Sequence, residues 1–243
     1  MKTLVIIPSR LAATRLPGKP LLKINGISII SHVLRRAQEA NIGEVFVATE
    51  DKEILEDVKK NGGQTILTKS NHKTGTDRIY EALQKIDISN VDFVMNIQGD
   101  EPLINISDIK RLSNQMIKHK SEIGTLASEI SDKRSYENEN IVKVITKEKL
   151  NNLNFSEAII FKRKLVKEEG NTYHHIGVYC YKLETLKKFV SLKQSDNEIS
   201  EKLEQLRALD NGMNINVSLA NKSPIGIDTE EDYLAIKKIM KYK

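Results

Sequence analysis

The twelve-residue stretch Ser9-Arg10-Leu11-Ala12-Ala13-Thr14-Arg15-Leu16-Pro17-Gly18-Lys19-Pro20 holds three cations and no acid. Pro17 and Pro20 flank Gly18, which makes a stiff turn whose backbone can approach a ligand closely, while Arg10, Arg15 and Lys19 supply charged donors for phosphate oxygens. Lys19 is followed by proline and not by Ser or Thr, so this is not a Walker loop, and none of the twelve glycines forms a G-x-G-x-x-G. The other reading is a solvated basic loop. Two carboxylates complement these cations. Asp100, in Gln98-Gly99-Asp100-Glu101-Pro102, follows an apolar run and is placed either to hold a divalent cation against a phosphate or to cap the next turn. Asp228 precedes Thr229, whose spacing to Asp232 is that of a capping box, so the helix start has its own cap and Asp228 is left for other work. Together the two aspartates make a metal clamp if the fold brings them together.

Two further segments carry polar chemistry. In Tyr173-His174-His175-Ile176-Gly177-Val178-Tyr179-Cys180-Tyr181, strand alternation puts the two histidines on opposite faces, so they cannot share one metal. Tyr173, His175, Gly177, Tyr179 and Tyr181 form a face suited to a ligand with many hydroxyls, or to ordinary strand packing; Ile176, Val178 and Cys180 form the core face, where the thiol is a small hydrophobe. Asn71 to Arg78 reads as a helix N-terminus or as a ligand loop in front of one.

These residues need a scaffold, and the periodicity supplies one. Thr3–Ile7, ended by Pro8, reads as a buried parallel strand. A helix over 27–40 and a strand over 45–48 complete a βαβ unit, followed by a helix stopped at Gly62-Gly63, a strand over 65–67 and a helix over 76–86. The strand Val91–Ile97 delivers Asp100 at its carboxyl end, where open parallel sheets collect their binding groups. After a helix over 106–119 the chain turns strand-rich (125–130, 141–145, 158–161, 174–181). Helices over 183–189 and 197–209 follow, the latter with an Ile199, Leu203, Leu206 stripe. A strand over 214–219, the short Ile225-Gly226-Ile227 and a helix over 229–240 complete the chain. We expect one α/β domain over residues 1–243, its mostly parallel central sheet flanked by helices, with an inserted lobe over about 150–210 carrying the mixed sheet.

Composition excludes several classes. At 243 residues and 39% hydrophobic content the chain buries a sizeable core, and its single cysteine excludes disulfide frameworks and cysteine-rich zinc sites. The net charge of +5 comes from 29 lysines and 9 arginines interleaved with 33 acids, with no dense basic tract, and the absence of tryptophan argues against a stacking platform for single strands. The charge calls for an anionic ligand. The apolar opening Leu4–Ile7 is too short for a signal h-region or a membrane span, so a cytoplasmic location is expected.

With these elements in this order the chain resembles the 3-deoxy-manno-octulosonate (Kdo) cytidylyltransferases along nearly its whole length. The resemblance rests on Ile7-Pro8-Ser9-Arg10, Thr14-Arg15-Leu16-Pro17-Gly18-Lys19-Pro20-Leu21, Val47-Ala48-Thr49, Gly75-Thr76-Asp77-Arg78, Asn96-Ile97-Gln98-Gly99-Asp100-Glu101-Pro102, Val142-Lys143-Val144, His175-Ile176-Gly177-Val178-Tyr179, Leu203-Glu204-Gln205-Leu206-Arg207 and Asp228-Thr229-Glu230-Glu231-Asp232. It implies a Rossmann-like nucleotidyltransferase fold, a homodimer with a sugar-binding and dimerisation lobe, Mg²⁺, and the reaction of CTP with Kdo to give CMP-Kdo and pyrophosphate for lipopolysaccharide assembly. By the same resemblance Arg10 and Lys19 match the triphosphate-loop cations, which Arg15 joins on the reading of the loop; Asp100 and Asp228 match the metal carboxylates, and Gly75 and Thr76 lie in the cytosine nucleotide segment. Gln98, His175, Tyr179, Glu204 and Gln205 match positions lining the sugar pocket.

The chain departs from the pattern at Glu157 and Phe161, where family members usually carry Arg and Pro, and at Ala13, where Ser is common. A reversed charge near an acidic sugar implies compensation by Lys162, Arg163 or Lys164, or a related sugar such as amino-Kdo or another nonulosonic acid. The reading from another class is a non-catalytic nucleotide- or RNA-binding module, which net charge alone would permit.

Overall fold

The computed structural model describes residues 1–12, 15–72, 74–165 and 169–241, so Ala13 and Thr14 of the basic loop lie outside the described residues. In chain order the first elements are β1 (Thr3–Ser9), β2 (Lys23–Ile24), β3 (Ile27–Ser28), α1 (Ile29–Glu39), β4 (Gly43–Thr49), α2 (Lys52–Lys60), β5 (Gln64–Leu67), α3 (Gly75–Leu83) and β6 (Phe93–Asn96). Then come α4 (Ile106–His119), β7 (Ile123–Ser128), β8 (Lys143–Thr146), β9 (Ser156–Lys162) and β10 (Asn171–Lys182). The last are α5 (Leu183–Ser191), α6 (Asp196–Glu201), α7 (Leu206–Asp210), β11 (Ile215–Leu219) and α8 (Glu230–Lys241). They fall into two compact units. The first is Lys2–Val91, Met95–Ile106 and Pro224–Lys243; the second is Met1, Asp92–Val94 and Ser107–Ser223, and contains the stretch expected as an inserted lobe.

In the first unit β1 pairs in parallel with β4, and β4 with β5. The helix expected over 27–40 begins two residues later, because the Ser28 hydroxyl accepts from the Ser31 amide and caps it, while Ile27 and Ser28 pair with β2. Ile30, Val33, Leu34 and Ala37 are fully buried, as their helical spacing requires. Contrary to expectation, Pro8 does not end β1, which runs on to Ser9 with Pro8 in register with Ala48. The Ile6 carbonyl accepts from the Ile97 amide on the β6 side, so by alternation Pro8's missing N–H also faces that side, where β6 has already ended.

In the second unit β7 lies between antiparallel β10 and parallel β11; β9 pairs antiparallel with β11, and β8 with β9. The first part of β10 returns to pair with β8, closing a ring of five strands. Two expectations fail here, and a second one fails in the first unit. The helix expected over 197–209 is two helices separated by Lys202, a left-handed residue at φ 54°. Arg163 donates to the carbonyls of Glu201 and Lys202, so side-chain donors replace the amides of a continued helix, and Ile199 is left 59% exposed. The alternation expected along 173–181 breaks at a bulge between Ile176 and Tyr179 opposite β7, where the Thr125 hydroxyl contacts the Ile176 and Val178 carbonyls. In the first unit, Ile225-Gly226-Ile227 is not a strand: Ile227 is buried with Ile24, Ile29 and Ile236, and its amide donates to the Asp100 carbonyl.

Candidate active site

The basic loop is set by backbone and side-chain bonds at both ends. The Leu11 amide donates to the Asp51 carboxylate at 2.7 Å, Gly18 takes φ 67°, and Pro20 is buried as the chain makes a 3₁₀ turn over Lys19–Leu21. That turn directs Lys19 Nζ between two carboxylates, 2.7 Å from Asp100 Oδ2 and 3.2 Å from Asp228 Oδ1, while Arg15 reaches Asp228 Oδ2 at 3.0 Å. Asp100 and Asp228, 128 positions apart in the chain, are therefore held together. Two local devices achieve it. The backbone at Gly99 passes so close to Pro8 that a Cβ there would sit 3.0 Å from the Pro8 carbonyl oxygen. The Ile227 amide, anchored by its buried side chain, bonds the Asp100 carbonyl at 3.0 Å. The capping box expected at Thr229 is present: Asp232 N donates to Thr229 Oγ1 and Thr229 N to Asp232 Oδ2, which leaves the Asp228 carboxylate for the cations.

Around this cluster lies a cleft of about 380 Å³, lined by Arg10, Arg15, Lys19, His72, Gly75, Arg78, Gln98, Asp100 and Asp228 among others. Its size suits a nucleotide-scale ligand. Next to Asp100, Glu101 points Oε2 into a buried position; that burial, and then the Asp100 charge, push its carboxyl up to about 8. Among the described residues no group of three or more His, Cys, Asp or Glu side chains gathers to hold a metal. The converging Asp100 and Asp228 carboxylates nevertheless fit Mg²⁺, which takes one or two carboxylates and completes its shell with phosphate oxygens and water.

One wall of the cleft was not legible as a network in the sequence. Thr74 caps α3, accepting from the Asp77 amide, and α3 carries Glu81, which accepts from the Lys69 amide, from His72 Nε2 and from Lys85. Arg78, also on α3 and almost fully buried, donates to Thr68 Oγ1 and the Lys69 carbonyl and pairs with Glu50. Burial pushes the Glu81 carboxyl up, but hydrogen bonds from Lys85, Lys69 and His72 more than offset it and bring it to about 2. Because the folded value lies below the ordinary 4.5, this carboxylate stabilises the fold above pH 4.5, and that contribution is lost as pH falls toward 2. Glu81→Gln is therefore expected to lower the urea midpoint at pH 7 and to flatten its decline between pH 4.5 and 2; parallel curves for variant and wild type would contradict this.

In the second unit His175, Tyr179 and Glu204 come together. Ring contacts run from Phe161 to His175 (5.0 Å), Tyr179 (5.4 Å), Tyr181 (5.8 Å) and Phe189 (6.0 Å), where the Arg207 guanidinium stacks at 4.8 Å. Burial, with Tyr181 and Glu204 nearby, raises the Tyr179 phenol well above its ordinary value, and burial followed by the His174 charge lowers His175 to about 3, so both are neutral at pH 7. His175, Tyr179 and Tyr181 are all more than nine-tenths buried, so this face is not an open one. Gln205 Nε2 is buried with no hydrogen-bond partner among the described residues. The turn carrying Glu204 and Gln205 is braced by a buried bidentate pair, Arg207 to Glu198 at 2.7 and 2.6 Å. Gln98 belongs to the cleft of the first unit. Cys180 is fully buried and its thiol is raised by burial, as expected of a core residue.

Among the described residues the cation that meets the Glu157 carboxylate is Lys147, at 2.7 Å, and not Lys162, Arg163 or Lys164. Lys162 pairs with Glu169, and Arg163 donates to the carbonyls of Glu139, Glu201 and Lys202. Phe161, in place of proline, packs edge-on against His175.

A sequence model of the cytidylyltransferase family matches residues 4–215. The chain is 43% identical over 240 residues to the 3-deoxy-manno-octulosonate cytidylyltransferase of Afipia carboxidovorans, covering 98% of this chain and 96% of that protein. It is 46% identical over 232 residues to the protein of the same name from Rhodopseudomonas palustris strain BisB5, covering 95% and 94%. Among solved structures, CMP:2-keto-3-deoxy-manno-octonic acid synthetase complexed with CTP matches with a TM-score of 0.90 at 33% identity, covering 100% and 99%. A nucleotidyl transferase from Methanothermobacter thermautotroptrophicus, at 12% identity and a TM-score of 0.66, shares the fold.

Proposed function

The chain belongs to the 3-deoxy-manno-octulosonate cytidylyltransferase family, and from that membership and the cleft of its first unit we infer that it transfers CMP from CTP to Kdo. The observation that carries this reading is the convergence of Asp100 and Asp228 on Lys19 in a cleft that Arg10 and Arg15 also line. In the reaction the anomeric hydroxyl oxygen of the sugar bonds to the α-phosphorus, the bond from that phosphorus to the bridging oxygen breaks, pyrophosphate leaves, and the hydroxyl proton is lost. The protein's task is alignment and charge neutralisation, with no covalent nucleophile required.

Arg10, Arg15 and Lys19 hold the triphosphate, and Lys19 and Arg10 offset the charge that grows on the departing pyrophosphate. By the family resemblance Gly75 and Thr76, at the capped start of α3, belong to the nucleotide-binding segment; Gly75 lines the cleft and Thr76 is buried. Asp100 and Asp228 would hold Mg²⁺, which when bound would offset phosphate charge and lower the pKa of the attacking hydroxyl. The family resemblance assigns His175, Tyr179, Glu204, Gln205 and Gln98 to the sugar; within the second unit the buried Gln205 amide, unpartnered among the described residues, is a donor that a sugar hydroxyl would satisfy. The homodimer rests on the family resemblance, with the exposed Leu153, Ile159 and Ile199 of the second unit offering apolar surface for it. By the family resemblance the product serves lipopolysaccharide assembly and the enzyme is cytoplasmic. Among the described residues no helix is long and apolar enough to cross a membrane.

Formation of CMP-Kdo from CTP and Kdo, followed with and without excess EDTA, tests this reading. Turnover abolished by chelation and restored by added Mg²⁺ is expected; turnover indifferent to EDTA would remove the metal from the account. Because Glu157 is already paired with Lys147, Glu157→Arg is expected to leave kcat/KM for Kdo within about threefold of wild type, the scale of an exposed ion pair. A rise of an order of magnitude would show that the reversed charge does act on the sugar.

A further inference from the structure

The nucleotide cleft contains a histidine that the triphosphate and metal chemistry does not use. His72 lines it, and its Nε2 is held by Glu81, whose second set of donors is Lys69 N and Lys85 Nζ. A carboxylate that stays ionised down to about pH 2 can only accept, so Nε2 must be the protonated, donating nitrogen. In the neutral ring this leaves Nδ1 as an acceptor. Among the charged side chains of the cleft Arg10, Arg15, Lys19 and Arg78 are all donors and the two aspartates are engaged with Lys19 and Arg15, so His72 adds an acceptor to those of Ser9, Thr74 and Gln98. Phosphate oxygens have no hydrogen to give to such an acceptor. The groups of a cytidine nucleotide that do are on the nucleoside, namely the 4-amino group of the base and the ribose hydroxyls.

We propose that His72 is a specificity residue that accepts a hydrogen bond from the base 4-amino group or the ribose 2′-hydroxyl of CTP, with Glu81 as the positioning residue that fixes its tautomer and ring. The proposal deepens the cytidylyltransferase reading and rests on it. The segment that carries His72 is prepared for the task, since Arg78 holds Thr68 and Lys69 while Glu81 holds Lys69 and His72, so the ring is oriented before a ligand arrives.

Calorimetric binding of CTP, UTP, 2′-deoxy-CTP and inorganic tripolyphosphate, at one fixed Mg²⁺ concentration, tests it on wild type, His72→Phe and the near-isosteric Glu81→Gln. His72→Phe is expected to weaken CTP about tenfold, the scale of one lost hydrogen bond with a buried group left unpaired, while tripolyphosphate changes by no more than about twofold. Glu81→Gln should show the same pattern at about threefold, and serves alone if the phenylalanine variant does not fold. A reduced preference for CTP over UTP assigns the bond to the base amino group, and a reduced preference for CTP over 2′-deoxy-CTP to the ribose; either supports the proposal. Unchanged CTP affinity, equal losses for CTP and tripolyphosphate, or a CTP loss with both preferences intact would overturn it. A wild-type protein that binds CTP no better than tripolyphosphate would instead defeat the nucleotide reading on which the proposal stands.

Discussion

Asp100→Ala is expected to lower kcat by at least about 10³-fold while leaving the thermal midpoint close to that of the wild type, since removing a carboxylate that holds Mg²⁺ forfeits several kcal/mol of transition-state charge stabilisation. The fold should tolerate the change. The Asp100 side chain is 32% exposed and pairs with Lys19, which keeps Asp228, while the bond that ties this segment to Ile227 uses the Asp100 backbone carbonyl and survives truncation. Asp228→Ala should behave alike, because the Thr229–Asp232 capping box holds the start of α8 without it. A non-catalytic nucleic-acid-binding module predicts the reverse: affinity with a steep salt slope and indifference to either aspartate. Turnover near the wild-type rate in either variant, measured by initial-rate assay, would refute the metal assignment.

Lys19→Met should cost about 10² to 10³ in kcat, the usual effect of removing one preorganised charged donor from a site where negative charge develops. The side chain is only 12% exposed, wedged between two carboxylates, so its ammonium also cancels the repulsion between Asp100 and Asp228. Methionine keeps the aliphatic stem and deletes the charge, which separates electrostatics from packing. With Arg15 still on Asp228, the two aspartates retain one cation. The variant should therefore fold, bind CTP more weakly and turn over slowly. Wild-type kcat with a raised KM alone would mean that Lys19 binds substrate and transition state equally.

Much of this was legible in the sequence wherever local rules decide the outcome. The boundaries of α4 and the burial of Ile30, Val33, Leu34 and Ala37 follow from periodicity, and the Thr229–Asp232 box from spacing. Where tertiary contacts compete with local pattern, the reading failed. Leu203 and Leu206 look helical, but Arg163, reaching from the end of β9, takes the carbonyls on which a continuous helix would depend. The tyrosine and histidine face looked like an open ligand surface because alternation cannot show that a ladder of rings buries it, nor that Thr125 sits against a bulge in the opposing strand. Glu157 reads as a reversed charge, and the sequence carries no signal of Lys147 ten residues earlier, because only the register of the β8–β9 pairing sets the two side by side. The Glu81–His72 bond was equally hidden; only their nine-residue separation around the cap of α3 could have hinted at it.

Release of pyrophosphate from CTP in the presence of Mg²⁺ and each member of a panel of 2-keto-3-deoxy sugar acids, including Kdo, amino-Kdo and other nonulosonic acids, tests the central claim most directly. The account predicts release that depends on both CTP and a sugar, with the highest kcat/KM for Kdo. No pyrophosphate with any sugar on the panel would contradict it.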